Sequence, residues 1–274
     1  MTGEEFRSAL RAGKRLYGTL TVSNAARWPD MFASLGLDFI FIDTEHVAID
    51  REALSWMCQT YAALGIVPLV RITSLDPAEA TTAMDAGAKA LAAPFVETAE
   101  QVKALRGAVK LRPMKGKRLE GILNGESVEP ELARYLEEHN RHHTLMINVE
   151  SVPAMEELDS LLAVDGLDAV FIGPHDLSTS LGIPEQYDHP RFDAAVTEII
   201  TRSRAAGVGV GIHVTTGRGL AVEDEIRWIK AGANLIVHRA DIIAAKHALQ
   251  SEMNEIRKSV GDPIPGMDEA DLNI

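Results

Sequence analysis

Short runs of consecutive apolar residues alternate along the chain with longer stretches whose apolar positions recur every three or four residues. The runs are "LYGTLTV" (16–22), "DFIFID" (38–43), "VPLVRI" (67–72), "ALAAPF" (90–95), "TLMINVE" (144–150), "DAVFIG" (168–173), "GVGVGIHV" (207–214) and "NLIVHR" (234–239). Most are apolar throughout rather than at every second position, the pattern of parallel strands covered on both faces. The stretches between them carry helix signals. Asp76-Pro77 opens "DPAEATTAMDAGA" with a cap and a proline at the first helical position, Gly87 closes it, and "AVEDEIRWIKAGA" stops likewise at Gly232. Eight strands alternating with helices predict a (β/α)8 barrel, with a doubly wound sheet as the alternative.

No linker divides the chain, so residues 1–258 are expected to form one barrel domain and 259–274 an acidic tail. The rhythm breaks between 107 and 143, where "KLRPMKGKRLEG" leads into the helical "EPELARYLEEHN". An insertion of that length between the fourth and fifth strands reads as functional.

Composition narrows the picture. The 274 residues suit a single barrel of about 250 residues, and the 46% hydrophobic but 5% aromatic content calls for an aliphatic core. A net charge of -13 argues against a nucleic-acid partner. The lone Cys58 precludes an internal disulfide and suits a reducing compartment. The first residues mix acids with bases and lack a signal-peptide core, and no apolar run approaches the roughly 18 residues of a membrane span. A cytoplasmic protein with no membrane partner is expected.

All strands of a barrel point one way, so their C-terminal ends form a single rim where active sites sit. Asp43, Glu45 and His46 follow strand two and Arg71 ends strand three. Glu150 ends strand five, Asp176 follows strand six, His213 lies in strand seven, and His238, Arg239 and Asp241 close strand eight. Helix capping is the competing reading for Asp43, Glu150 and Asp176, and Glu45 could merely serve an ion pair. His139, His142, His143 and His189 sit in polar surroundings and read as solvated. Two carboxylates at neighbouring strand ends suit Mg²⁺, with Mn²⁺ or Co²⁺ as substitutes and zinc disfavoured. Asp43 and His46 suggest an acid/base dyad, and Arg71 a fixed donor for a carboxylate or enolate oxygen. No lysine ends a core strand, which removes the nucleophile of a Schiff-base mechanism, and no nucleotide-binding loop is present.

These stretches, together with "NVES", "GLDAVFIGPHDLSTSLGIPEQYDHP" and "AGANLIVHRADI", resemble the HpcH/HpaI family of metal-dependent class II pyruvate aldolases over most of residues 35–245. The resemblance implies a TIM barrel whose last helix is exchanged between subunits of a homohexamer, a trimer of dimers. It implies Glu150 and Asp176 as ligands of a divalent metal ion and His46 with Asp43 as the dyad. Arg71, Asn148, Gly173, Pro174, His175 and His213 would contact the 2-oxo acid and its aldehyde partner, and Asp85 would reach a neighbouring subunit's site. Asn148, His175 and His213 depart from the residues usual there, which leaves the acceptor open. The basic stretch Lys110, Arg112, Lys115, Lys117 and Arg118 is a candidate attractor for an anionic acceptor. The expected reaction is reversible cleavage of a 4-hydroxy-2-oxo acid to pyruvate and an aldehyde, with oxaloacetate decarboxylation alongside. Condensation of an oxo acid with an acyl-CoA, and a catalytically idle oxo-acid binding protein, are the alternatives.

Overall fold

The computed structural model describes residues 1–214 and 220–265. Eight parallel strands close into a barrel in sequence order: β1 (Leu16–Thr21), β2 (Phe39–Asp43), β3 (Val67–Arg71), β4 (Ala90–Ala93), β5 (Thr144–Asn148), β6 (Ala169–Ile172), β7 (Gly209–Val214) and β8 (Leu235–Ala240). All eight expected strands form, each within two residues of its predicted bounds. The predicted caps form too: the Asp76 side chain accepts from Ala78 N at 2.8 Å, and Gly87 ends that helix at φ 113°.

The helices are α1 (Gly3–Arg11), α2 (Trp28–Ser34), α3 (Arg51–Ala63), α4 (Pro77–Ala86), α5 (Ala99–Lys110), α6 (Gly116–Leu123), α7 (Pro130–Asn140), α8 (Val152–Glu156), α9 (Leu158–Leu162), α10 (Pro174–Ser180), α11 (Pro190–Ala205), α12 (Val222–Ala231) and α13 (Asp241–Val260). Two apolar layers result. Inside the barrel, Phe39, Phe41, Leu69, Met146, Phe171 and Val237 fill the bore, while a second layer glues strands to helices. The Phe41 and Phe171 rings lie 5.0 Å apart and close the bore beneath the C-terminal rim.

The opposite end is closed by α1. Phe6 and Leu10 are fully buried, Phe6 packs edge-on to Phe39 at 5.6 Å, and Asn234 Nδ2 donates to Leu10 O at 2.8 Å. Below β6, Asp168 accepts from Arg7 Nε at 2.8 Å, from Leu145 N at 3.0 Å and from Lys110 Nζ, with Arg11 Nη1 at 3.4 Å.

Between β4 and β5 the predicted insertion is real but starts later, because residues up to Lys110 complete α5. Lys110 therefore does not belong to a basic surface loop: it is buried against Asp168 and the His143 carbonyl. The solvated reading of the histidines also needs correction. His143 is buried, which pushes its imidazole down to about 3, His142 is half-buried, and His189 caps α11 by accepting from Arg191 N at 3.1 Å. Only the first turn of α13 is buried, through Asp241 and Ile243, and Leu249, Met253, Ile256 and Val260 stay exposed along it. Among the described residues no helix is long and apolar enough to cross a membrane. The chain beyond residue 265, most of the predicted tail, lies outside the described residues.

Candidate active site

Inward-facing positions at the strand ends place the candidate residues on the rim. Parallel pairing sets Asp43 directly beside Arg71. Arg71 Nε donates to Asp43 Oδ1 at 2.9 Å and Nη2 to Asp43 Oδ2 at 2.7 Å, a fork of charge-assisted bonds that sits over the Phe41 ring at 5.7 Å. Asp43 also accepts from Glu45 N at 3.0 Å. Its carboxylate is thus committed to Arg71 and to the turn, so the expected Asp43–His46 contact does not form. The carboxylate nearest the imidazole is Glu45, whose Oε2 stands 3.7 Å from His46 Nε2 and 3.0 Å from Arg71 Nη1.

Glu45 forms the ion pair that the sequence allowed for it, and more. Its side chain is 7% accessible and its Oε1 is buried with no partner. Burial drives its carboxyl up to about 7; Arg71 opposes that rise, while Glu150, Asp43 and Asp176 add to it. Three ionisable residues within four positions of a buried strand end were the available signal.

Glu150 lies at the end of β5, 4% accessible. Its Oε1 accepts from Phe95 N at 2.9 Å and its Oε2 from Asn148 Nδ2 at 3.0 Å. Burial raises its pKa, the two hydrogen bonds lower it, and Asp176 raises it further. To direct that amide, Phe95 adopts φ 51°, a left-handed conformation that a bulky residue rarely takes. Sequence reasoning missed Phe95 because its contribution is backbone. Gly173 is dictated by the same carboxylate: a Cβ there would lie 2.3 Å from Glu150 Oε2. The capping alternatives fall away. Asp50 caps α3 and Ser151 caps α8, while Asp176, in the first turn of α10, makes no cap bond.

The remaining candidates divide. Half-buried His213 is pushed down to about 4, by loss of solvent first and by Arg71 next, and its Nε2 lies 3.3 Å from the Arg239 carbonyl. It is a neutral imidazole beside the arginine. His175, on the exposed lip following Pro174, stands 3.5 Å from Glu185. Asp241 is structural: it accepts from Thr21 Oγ1 at 2.7 Å and Ser23 N at 3.1 Å, pinning the end of β1. His238 pairs with Glu225 of α12 at 2.7 Å. Asp85 is away from the rim cluster and bonds Arg112 of its own chain.

Three acids, Asp43, Glu45 and Glu150, thus interact with the Arg71 guanidinium, and Asp176 adds its charge to Glu45 and Glu150. Buried Glu45 Oε1 and Asn148 Oδ1 lack partners, a deficit that costs about 1–3 kcal/mol per group. Among the described residues no three His, Cys, Asp or Glu side chains form a ready cage. Two carboxylates supplemented by water and substrate oxygens are how hard divalent ions of the Mg²⁺ type are commonly held. The surplus negative charge and the space left by Gly173 beside Glu150 fit such an ion.

A family model described as HpcH/HpaI aldolase/citrate lyase matches residues 20–236. A 2-keto-3-deoxy-L-rhamnonate aldolase of Salmonella gallinarum (strain 287/91 / NCTC 13346) is 32% identical over 251 residues, 90% of this chain and 91% of that protein. Among solved structures, an HpcH/HpaI aldolase from Desulfitobacterium hafniense DCB-2 is similar with a TM-score of 0.77 at 26% identity, covering 96% of this chain and 98% of that one. The citrate synthase SbnG is similar with a TM-score of 0.78 at 26% identity, covering 93% and 98%.

Proposed function

Because this chain belongs to the HpcH/HpaI aldolase/citrate lyase family and is a carbon–carbon lyase, we propose that it reversibly cleaves a 4-hydroxy-2-oxo acid to pyruvate and an aldehyde. The observation that carries this reading is the rim itself, where Asp43, Glu45 and Glu150 interact with Arg71 and Asp176 acts on the two glutamates at the strand ends. The 3-deoxy-2-oxo sugar acids, the class named for the Salmonella relative, lead as substrates. Neutral His213 and the Asn148 side chain offer uncharged polar groups suited to their hydroxyls.

Glu150 and Asp176 would hold Mg²⁺, Mn²⁺ or Co²⁺, which when bound supplies Lewis-acid polarisation of the 2-oxo group. Arg71 spends two of its five N–H donors on Asp43 and ion-pairs with Glu45 through Nη1, leaving donors for the oxo-acid carboxylate and the developing enolate oxygen. The backbone from Gly173 to His175 at the start of α10 lies beside Glu150 and would line the carboxylate. His46, 44% accessible, takes the 4-hydroxyl proton as C3–C4 breaks. Oxaloacetate decarboxylation follows as a side activity because it passes through the same enolate.

Proton NMR of pyruvate in D₂O tests the reading. Loss of the methyl signal with Mn²⁺ or Mg²⁺, abolished by chelation, is expected, and His46→Ala should lose aldol cleavage while still binding metal. Citrate formed from oxaloacetate and acetyl-CoA, with no pyruvate exchange, would favour the acyl-CoA reading that the likeness to SbnG suggests.

Assembly belongs to the same proposal. The exposed row Leu249, Met253, Ile256 and Val260 on α13 suits packing on a second copy, and a hexamer with exchanged helices would cover it and place Asp85 near a neighbouring site. Light scattering that finds a monomer would refute this. A cytoplasmic setting is supported by the single buried thiol of Cys58.

A further inference from the structure

His46 can take a proton from the substrate hydroxyl, yet pyruvate forms only when C3 gains one. The rim offers two carboxylates near that imidazole. Asp43 is saturated by two Arg71 bonds and the Glu45 amide. Glu45 is bonded through Oε2 alone, reaches His46 Nε2 at 3.7 Å, and keeps Oε1 buried with no partner. A buried oxygen with no partner in the chain, in a side chain 7% accessible, leaves one proton-carrying position of the carboxyl uncommitted.

We propose that Glu45 delivers the proton that turns the enolate into pyruvate and recovers it from His46, so that the two residues form a closed proton cycle. The inference rests on the aldolase reading above. In the cleavage direction the His46 imidazole accepts the 4-hydroxyl proton, the O4 electron pair forms the aldehyde carbonyl, and the C3–C4 pair becomes the C2=C3 bond of the enolate. The enolate oxygen pair then re-forms the C2 carbonyl while C3 takes the Glu45 carboxyl proton, giving the methyl group. Imidazolium His46 returns its proton to the Glu45 carboxylate, directly after a small approach or through one water. Both residues end as they began and no other reactant is needed.

Charged or titratable groups meet Glu45 from four elements: Asp43 and His46 from its own strand end, Arg71 from β3, Glu150 from β5 and Asp176 from α10. Burial favours the carboxylic acid and Arg71 the carboxylate. Glu45→Gln preserves shape and the bond from Arg71 but cannot move a proton.

The experiment compares wild type, Glu45→Gln, Glu45→Ala and His46→Ala by pyruvate methyl exchange in D₂O. Line broadening of pyruvate by protein-bound Mn²⁺ and thermal melts serve as readouts of binding and folding. Glu45→Gln should exchange at least about 100-fold more slowly than wild type, with broadening unchanged. Added formate should restore exchange in Glu45→Ala, and His46→Ala should keep exchange while losing cleavage. Exchange in Glu45→Gln within about threefold of wild type would overturn the proposal. So would failure of formate to rescue a Glu45→Ala protein that still broadens pyruvate, since that variant would have lost only positioning. Wild type that broadens pyruvate but never exchanges it would instead sink the aldolase reading.

Discussion

The barrel buries acids at both ends, and the two ends treat them in opposite ways. At the N-terminal end a single carboxylate, Asp168, is inaccessible to solvent and is met by Arg7, Arg11, Lys110 and the Leu145 amide. At the C-terminal end Asp43, Glu45 and Glu150 share one guanidinium with Asp176 adding its charge to the two glutamates, and Glu45 Oε1 and Asn148 Oδ1 have no partner. The first end is satisfied and locks α1 under the barrel. The second carries charge that folding alone does not neutralise, a mark of a site built to bind. Burial of an acid therefore says little by itself here; the balance of partners around it decides between scaffold and chemistry.

Asp168→Ala should break the satisfied end. Lys110 would be left buried without its carboxylate, and the expected loss is about 3–5 kcal/mol of folding free energy. Urea unfolding measures it, and activity per folded molecule should be unchanged. If stability barely moves, the N-terminal cluster is not the lock described.

Glu150→Gln should act the other way. Activity is expected to fall about 100- to 1,000-fold, with weaker Mn²⁺ binding by calorimetry. The metal-free variant should melt higher than metal-free wild type, because removing one acid relieves crowding with Asp176 and Glu45. A variant that melts lower would show that Glu150 stabilises the fold.

The smallest effect is a pH slope confined to the rim. Folded Glu45 keeps its proton up to about 7, against the model-compound value of 4.5. Its contribution to stability is therefore full below about 4.5 and lost as pH rises through 7, an effect of about 1–3 kcal/mol. Buried His143 and half-buried His213, drawn down to about 3 and about 4, slope the opposite way below their ordinary 6.5. The measurement is accordingly the difference between chelated wild type and Glu45→Gln in melts from pH 5 to 7.5. That difference should change with pH, and a constant difference would show that Glu45 ionises normally.

Much of this was readable in the chain because it depends on short-range patterns. Continuous apolar runs fix strands, Asp76-Pro77 and Gly87 bound a helix, and the strand ends carry the ionisable residues to one rim whatever the details of packing. Glu150, Asp176, Arg71 and His46 were accordingly expected at the strand ends, and the structure places them there. Partner choice was not readable, since it depends on register and on which oxygen meets which donor in three dimensions. Asp43 stands beside Arg71 through the β2–β3 pairing and is drawn from His46 by a two-bond fork stronger than a single contact to an imidazole. The same limit applies to Lys110 and His143, which look like surface groups in a polar stretch and are buried by the docking of α5 and α1 around Asp168.

The sequence by itself determined an eight-stranded parallel barrel, the end of it that carries chemistry, and the residue types available there, because periodicity and strand direction are local properties of the chain. Tertiary structure alone decided that Asp43 serves Arg71, that Glu45 turns Oε2 to Arg71 and His46 while its Oε1 is buried with no partner, and that Phe95 turns its amide to Glu150. Those outcomes follow from a competition among donors, acceptors and burial that is settled only when distant segments meet.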